Sequence, residues 1–182
     1  MPVAKRATGS DSAVLRVLVA EDHPLFRQAV CGAIDRHPGL TVVGQAIDGH
    51  EALKLINALQ PDVAVLDYRM PGLTGAEVCQ ALRGKDEPPT TALLMLSAYE
   101  DGELVWGATS AGAVGYLGKT ASPAEICNAI EYVGRGGVAF TEATGQAVSD
   151  GFVKHFESAA DGAPREVAPP DVSTVIMVMG MR

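Results

Sequence analysis

The sequence predicts a doubly wound α/β fold, a five-stranded parallel sheet with helices on both faces, and three observations carry that expectation. Short β-branched and aliphatic runs alternate with segments whose apolar residues recur at three and four residue steps. One run, Val63-Ala64-Val65-Leu66, is apolar on both sides, as a strand covered on both faces would be, and it ends on Asp67 before turning through Pro71-Gly72. A chain of 182 residues that is 47% apolar has ample material for one ordinary core.

Residues 15–20 (Leu-Arg-Val-Leu-Val-Ala) read as the first strand, and Pro24, just beyond Glu21-Asp22, suits the first turn of a helix. Leu25, Phe26, Ala29, Val30, Ala33 and Ile34 carry that helix to residue 35, before His37-Pro38-Gly39 stops it. The second strand is 41–43, and Ala52, Leu55, Ile56 and Leu59 mark a helix ending before Pro61. The third strand, 63–66, leads through a loop to a short helix with Ala76, Val78, Cys79 and Leu82. Pro88-Pro89 breaks the chain ahead of a fourth strand, 92–96, which ends at Ser97. A helix near 103–111, a short strand at 114–117 and a helix over 122–135 follow, the last with Ser122 as cap and Pro123 as first residue. Alternating strands and helices imply parallel units joined by right-handed crossovers. The chain divides into a flexible N-terminus (1–13), the α/β domain (14–137), an extra helix within 138–157 with Val148, Phe152, Val153 and Phe156 as its apolar side, and a linker and apolar tail (158–182). The tail is shorter than the roughly 20 residues that cross a bilayer, and it is expected to dock on the domain or fray, with pairing to another chain as the alternative.

The formal charge of −8 argues against nucleic-acid binding, which draws its affinity from Lys and Arg on phosphates. Cys31, Cys79 and Cys127 are odd in number and lack C-x-x-C pairing, so neither a disulfide framework nor a zinc site is expected. Residues 1–11 are polar, neither export signal nor membrane span, and the expected compartment is the cytoplasm.

In this topology the carboxyl ends of the strands share one edge, so residues just after each strand become neighbours. They are Glu21 and Asp22, Asp67, Ser97 and Lys119. Carboxylates repel: at an effective dielectric near 20, each pair at ~5 Å costs about 3 kcal/mol, so positive charge belongs among them. A hard divalent ion with oxygen ligands fits, and Mg²⁺ is typically held by one or two carboxylates, waters and a phosphate oxygen. Lys119 and Ser97 suit that phosphate, one offsetting its charge and the other donating a hydrogen bond. Asp67 is then the nucleophile, able to form an acyl phosphate. Plainer readings stand beside these: Asp67 as a strand-end cap, Glu21-Asp22 as a helix N-cap, Lys119 as a surface lysine, Tyr116 as packing. His23 reads better as a solvated loop residue than as a ligand, and Tyr99 and Trp106 suit either a partner surface or the core.

The segments Glu21-Asp22-His23-Pro24, Asp67-Tyr68-Arg69-Met70-Pro71-Gly72, Leu96-Ser97-Ala98 and Gly115-Tyr116-Leu117-Gly118-Lys119 occur in this order, and through them the chain resembles a response-regulator receiver domain of two-component signalling, of the kind found in LuxR/NarL-type transcriptional regulators. The resemblance spans about 15–137. It implies a flavodoxin-like sheet of strand order 2-1-3-4-5, phosphoryl transfer from a histidine kinase to Asp67, and Mg²⁺ held by Glu21, Asp22, Asp67 and the backbone carbonyl of Arg69. Ser97 would follow the arriving phosphoryl group and Tyr116 would swing inward behind it. The domain would be no enzyme, but a phosphoacceptor promoting its own phosphorylation and dephosphorylation. Phosphorylation would bias the face built by the fourth helix, fifth strand and fifth helix, the expected surface for a partner or a homodimer.

Two departures from the family pattern stand out. Thr120 follows the lysine where many receivers have Pro, and a cis peptide there would cost about 3–4 kcal/mol more than trans. Only 24 residues follow Ser158, with no basic cluster, whereas LuxR/NarL-type regulators continue into a longer four-helix DNA-binding domain. The expectation is a receiver without a competent DNA-binding output, with a truncated or altered LuxR/NarL-type regulator as alternative. A Mg²⁺-dependent aspartyl-phosphate phosphatase of the haloacid-dehalogenase type would need a second aspartate two residues after the nucleophile, where Arg69 stands. A flavodoxin-like cofactor domain would meet repulsion between its anion and Glu21-Asp22.

Overall fold

A computed structural model describes residues 13–159. Residues 1–12, and residues 160–182 with the expected apolar tail and most of the expected linker, lie outside the described residues.

Parallel strands form one sheet in the order β2-β1-β3-β4-β5-β6. They are β1 (Leu15–Ala20), β2 (Leu40–Ala46), β3 (Val63–Asp67), β4 (Ala92–Ser97), β5 (Gly115–Gly118) and β6 (Ala139–Phe140). Helices α1 (Pro24–Arg36) and α5 (Pro123–Gly134) cover one face. Helices α2 (Gly49–Leu59), α3 (Gly75–Arg83) and α4 (Gly102–Ala111) cover the other, and α6 (Glu142–Ala159) lies against α4.

The two-residue period of the strands divides the core between these layers. Val17, Val19, Val63, Val65, Leu94, Leu96 and Leu117 pack with Val30, Ile34, Ile126 and Ile130. Leu18, Ala20, Ala64, Leu66, Met95 and Tyr116 pack with Ile56, Val78, Leu82 and Val105. The central strands are therefore apolar at successive positions because each residue has a helix to meet on its own side. Cys31, Cys79 and Cys127 are buried free thiols, small apolar fillers of these two layers.

The sheet has six strands where the sequence predicts five. Ala139 lies opposite Gly115 and Phe140 opposite Tyr116, in parallel pairing on the edge of β5. Two residues are too few for a period-two pattern, and the edge of β5 supplies the partner that local sequence cannot announce. The face expected to receive a partner is changed accordingly: β6 occupies the β5 edge and α6 covers part of α4. Of the apolar side predicted for α6, Val148 packs against the core and Val153 is exposed; the packed stripe also takes in Thr144 and Ala147. The side chains of Phe152 and Phe156 lie outside the described residues.

Local chemistry explains the loops that carry the rim. The turn after β3 needs Gly72, which has φ +78°, and a Cβ there would lie 2.6 Å from the His50 ring. Among the described residues no peptide bond is cis, so Thr120 follows Lys119 through a trans bond. Among the described residues no helix is long and apolar enough to cross a membrane.

Capping boxes open α3 and α5: Thr74 with Glu77, and Ser122 with Glu125. The Glu77 carboxylate accepts from the Thr74 amide and hydroxyl, each at 2.8 Å, and Glu125 accepts from the Ser122 amide at 2.7 Å. These bonds, the backbone amide first, hold both carboxyls below their ordinary 4.5. A depressed carboxyl contributes stability above its unfolded value and loses it as pH falls through the folded one. Replacing both (Glu77→Gln, Glu125→Gln) should therefore lower the urea midpoint at pH 7 and leave a gap from wild type that closes below pH 4.5. An equal gap at pH 7 and pH 3 would contradict this account.

Candidate functional site

The carboxyl ends of β1, β3, β4 and β5 bring Glu21, Asp67, Ser97 and Lys119 to one rim. Asp67 closes β3 opposite Leu96, and Ser97 closes β4 opposite Gly118, so the pairing that builds the sheet also sets these positions. Glu21, Asp67 and Ser97 are buried, with exposures of 2%, 6% and 1%. Buried carboxylates need a counter-charge, and Lys119 supplies it. Its Nζ lies 2.7 Å from Glu21 Oε2 and 3.0 Å from Asp67 Oδ2, so those two oxygens are no farther apart than the sum of these distances.

The cation that the repulsion argument demands is thus present in the chain itself. At a dielectric of ~20 each attraction is gross Coulomb energy of about 5–6 kcal/mol, against about 3 for two carboxylates ~5 Å apart, so one ammonium outweighs their mutual repulsion. Burial raises the pKa of Glu21, while the bond from Lys119 and the His23 amide pull the other way and the Asp67 charge adds to the rise. For Lys119 burial acts to lower the pKa, but the two carboxylates outweigh it and the pKa rises. The Lys119 ammonium also lies 5.0 Å from the centre of the Phe26 ring.

Asp22 does not share that ammonium. It sits at the mouth, 36% exposed, with His23 Nδ1 3.7 Å from its Oδ1. Glu21, Asp22 and His23 bring ligand atoms within 4.8 Å of one another, so Glu21 belongs both to the acidic mouth and to the buried pair. The His23 side chain is 80% exposed, in keeping with a solvated loop residue. Arg69 donates its amide to Asp67 Oδ1 at 3.3 Å. Its guanidinium stacks over the Tyr99 ring at 4.2 Å.

Tyr116 is fully buried, its hydroxyl donating to the Tyr99 carbonyl at 2.5 Å. The Tyr99 amide in turn donates to Ser97 Oγ at 3.1 Å, and the Ser97 carbonyl accepts the Lys119 amide at 2.7 Å. Burial pushes the Tyr116 phenol up, against a hydrogen bond with Ser97. One polar path therefore joins Lys119, Ser97, Tyr99 and Tyr116.

Residues 17–131 match the family of the response regulator receiver domain. The chain belongs to that family. It is 46% identical over 116 residues, 64% of this chain, to a probable transcriptional regulatory protein NarL of Mycobacterium tuberculosis, of which those residues make 53%. The chain thus spans about half the length of the curated relatives it matches first. The solved signal receiver domain of the M. tuberculosis NarL response regulator superposes with a TM-score of 0.66 at 43% identity, covering 68% of this chain and 98% of that one. A LuxR-family two-component response regulator from Aurantimonas sp. SI85-9A1 gives 0.70 at 31% identity, covering 78% and 99%. This chain therefore carries the receiver domain of a NarL/LuxR-type two-component response regulator. The family match ends at 131, and β6 and α6 lie beyond it.

Some residues at or near this rim escape sequence reasoning. The Arg27 guanidinium donates to the Glu21 carbonyl at 2.7 Å, and a backbone acceptor leaves no pattern in sequence. Thr144, with no exposure, places Oγ1 3.3 Å from the Tyr116 carbonyl. Gly75 lies under the site: a Cβ there would sit 2.6 Å from the Asp67 carbonyl.

Removing one partner of a buried ion pair commonly costs about 3–5 kcal/mol, because the other charge is left uncompensated. Lys119→Met should lower the unfolding free energy by about 3 kcal/mol in chelator-treated buffer at neutral pH. Adding Asp67→Asn should recover part of that loss, since one of the two stranded carboxylates becomes neutral. A urea double-mutant cycle measures the coupling, and strictly additive effects would contradict the shared ammonium.

Proposed function

We propose that Asp67 is the phosphoacceptor of this receiver and that its phosphorylation by a partner histidine kinase is the signal the chain carries. The observation that supports this most is Lys119 Nζ held between Glu21 and Asp67 at 2.7 and 3.0 Å. An ammonium so placed offsets the charge of both carboxylates and is within reach of a phosphoryl group arriving on the same oxygen set. A carboxylate oxygen of Asp67 attacks phosphorus, the P–N bond of the donor phosphohistidine breaks, and its electron pair stays on the imidazole, which takes a proton. With a small acyl phosphate as donor the leaving group is the carboxylate instead.

The other residues take roles that follow from their positions. Lys119 offsets charge on the phosphoryl oxygens, and Ser97 offers its hydroxyl to one of them. The oxygen donors of Glu21 and Asp22, grouped within 4.8 Å at the mouth with Asp67 beyond Lys119, fit a hard divalent ion; with the Arg69 carbonyl they would hold Mg²⁺. Bound there, Mg²⁺ would neutralise phosphoryl oxygens in the transition state. Arg69 cannot serve as a general acid, because its guanidinium stays charged and rests on Tyr99. The same aspartate and lysine that speed phosphorylation would also serve its reversal, and phosphorylation is proposed to favour self-association through the part of the expected face that β6 and α6 leave uncovered.

Incubation with acetyl phosphate and Mg²⁺ should add one phosphoryl group to the full chain, read by intact mass. Asp67→Asn should reduce labelling to background and Lys119→Met by at least about tenfold, on the scale of one lost transition-state contact. A folded wild type that takes no label, or equal labelling of the Asp67→Asn variant, would overturn the assignment.

A further inference from the structure

The segment beyond the family match does more than trail from the domain. β6 pairs with the edge of β5, placing Phe140 beside Tyr116. Phe140 is 8% exposed and shares the core layer of Tyr116, Val105, Ala108 and Ala111. The polypeptide then turns at Thr141 into α6. That turn is held by Thr144, whose hydroxyl accepts the Thr141 amide at 2.8 Å. The same hydroxyl, wholly buried, lies 3.3 Å from the carbonyl of Tyr116.

From Thr144 the contact runs along one face of α6 through Ala147, Val148 and Gly151, the i, i+3, i+4, i+7 stripe that faces a neighbour. Ala147 and Val148 are half-buried against the core, and Gly151 meets Trp106: a Cβ there would lie 2.7 Å from the indole ring. Ala147 faces Gly102 at the start of α4 at 3.6 Å from where a Cβ on that glycine would stand. Small residues on α6 thus let it lie close on α4, over the indole of the only tryptophan in the chain. The contact reaches the site through Tyr116, held at its carbonyl by Thr144 and at its hydroxyl by the Tyr99 carbonyl, with the Tyr99 amide on Ser97.

We infer that β6–α6 is a regulatory arm whose docking on β5 and α4 is coupled to Asp67, so that docking of the arm and phosphorylation of the receiver favour each other. This rests on the phosphoacceptor reading. The arm holds Tyr116 in its buried position, and the buried Tyr116 leaves Ser97 in the arrangement that a phosphoryl group on Asp67 would engage. A ligand and a docked segment that both prefer one state must stabilise each other by the same factor. The α4 surface is then used first by the chain's own α6, and any partner at that surface must displace it.

The test uses the full chain, with three readouts taken together: label on Asp67 by intact mass, Trp106 emission, and hydrogen exchange of the α6 amides. In the wild type, acetyl phosphate with Mg²⁺ should slow exchange in α6, and in Asp67→Asn it should not. Gly151→Leu, which drives a side chain into the indole, should red-shift Trp106 emission, speed α6 exchange and lower the labelled fraction at limiting donor by about fivefold, the lower end of usual couplings. Should that variant fail to fold, Thr144→Val, which keeps the shape and removes the hydroxyl, should speed α6 exchange and lower labelling in the same direction. Label in the wild type with no change in α6 exchange, or undocked variants that label as the wild type does, would overturn the coupling. Absence of label in the wild type would overturn the phosphoacceptor reading itself, and with it this one.

Discussion

The shared ammonium of Lys119 is the interaction on which the rim depends. Two carboxylates, Glu21 and Asp67, are buried at the ends of adjacent strands, where burial and the charge of Asp67 both raise the pKa of Glu21. Lys119, reaching over from β5, lies within ion-pair distance of both. The arrangement exists only because β1, β3, β4 and β5 are parallel, with their carboxyl ends on one edge. An antiparallel neighbour would send one of these groups to the far side of the sheet. The core layers above and below then keep the strands in register, since a slip of one residue would turn every valine and leucine to the wrong helix.

That same constraint gives the site two compartments. The inner one is the largely buried Glu21–Lys119–Asp67 cluster, two carboxylates sharing one ammonium. The outer one is the mouth with Asp22 and His23, open to solvent. Glu21 joins them, one side chain serving both a buried ion pair and a group of hard oxygen donors. A cation entering the mouth and the ammonium already inside would therefore act on one carboxylate.

Tyr116 touches both the rim and the segment beyond it. Its hydroxyl reaches the loop after β4, and its carbonyl meets Thr144 in the segment beyond the family match. A short polar path with few members has this advantage: moving any one of them changes the hydrogen bonds of the next, so the rim and α6 are linked through contacts that can be named. The extra strand matters for the same reason. By pairing with the edge of β5, β6 removes an exposed edge and brings α6 to α4.

The sequence by itself determined the layers and the inventory of the rim. Apolar runs at period two, helical stripes at three and four, and Ser, Pro and Gly at the ends of elements report local energetics, which neighbours in the chain decide; hence Asp67, Ser97 and Lys119 could be read at strand ends before any fold was in view. What tertiary structure decided were the contacts between residues distant in the chain. The resemblance supplied the central strand order, but the sixth strand depended on a free edge beside Gly115 and Tyr116, and a pair such as Ala139–Phe140 has no period of its own. On α6 the packing of Val148 was legible, but that of Thr144 and Gly151 was not: Thr144 acts through its hydroxyl on a distant carbonyl, and the smallness of Gly151 matters only once Trp106 lies opposite. Which cation balances the carboxylates was likewise undecidable from spacing: repulsion requires positive charge, but only the relative placement of β1, β3 and β5 puts Lys119 Nζ between them.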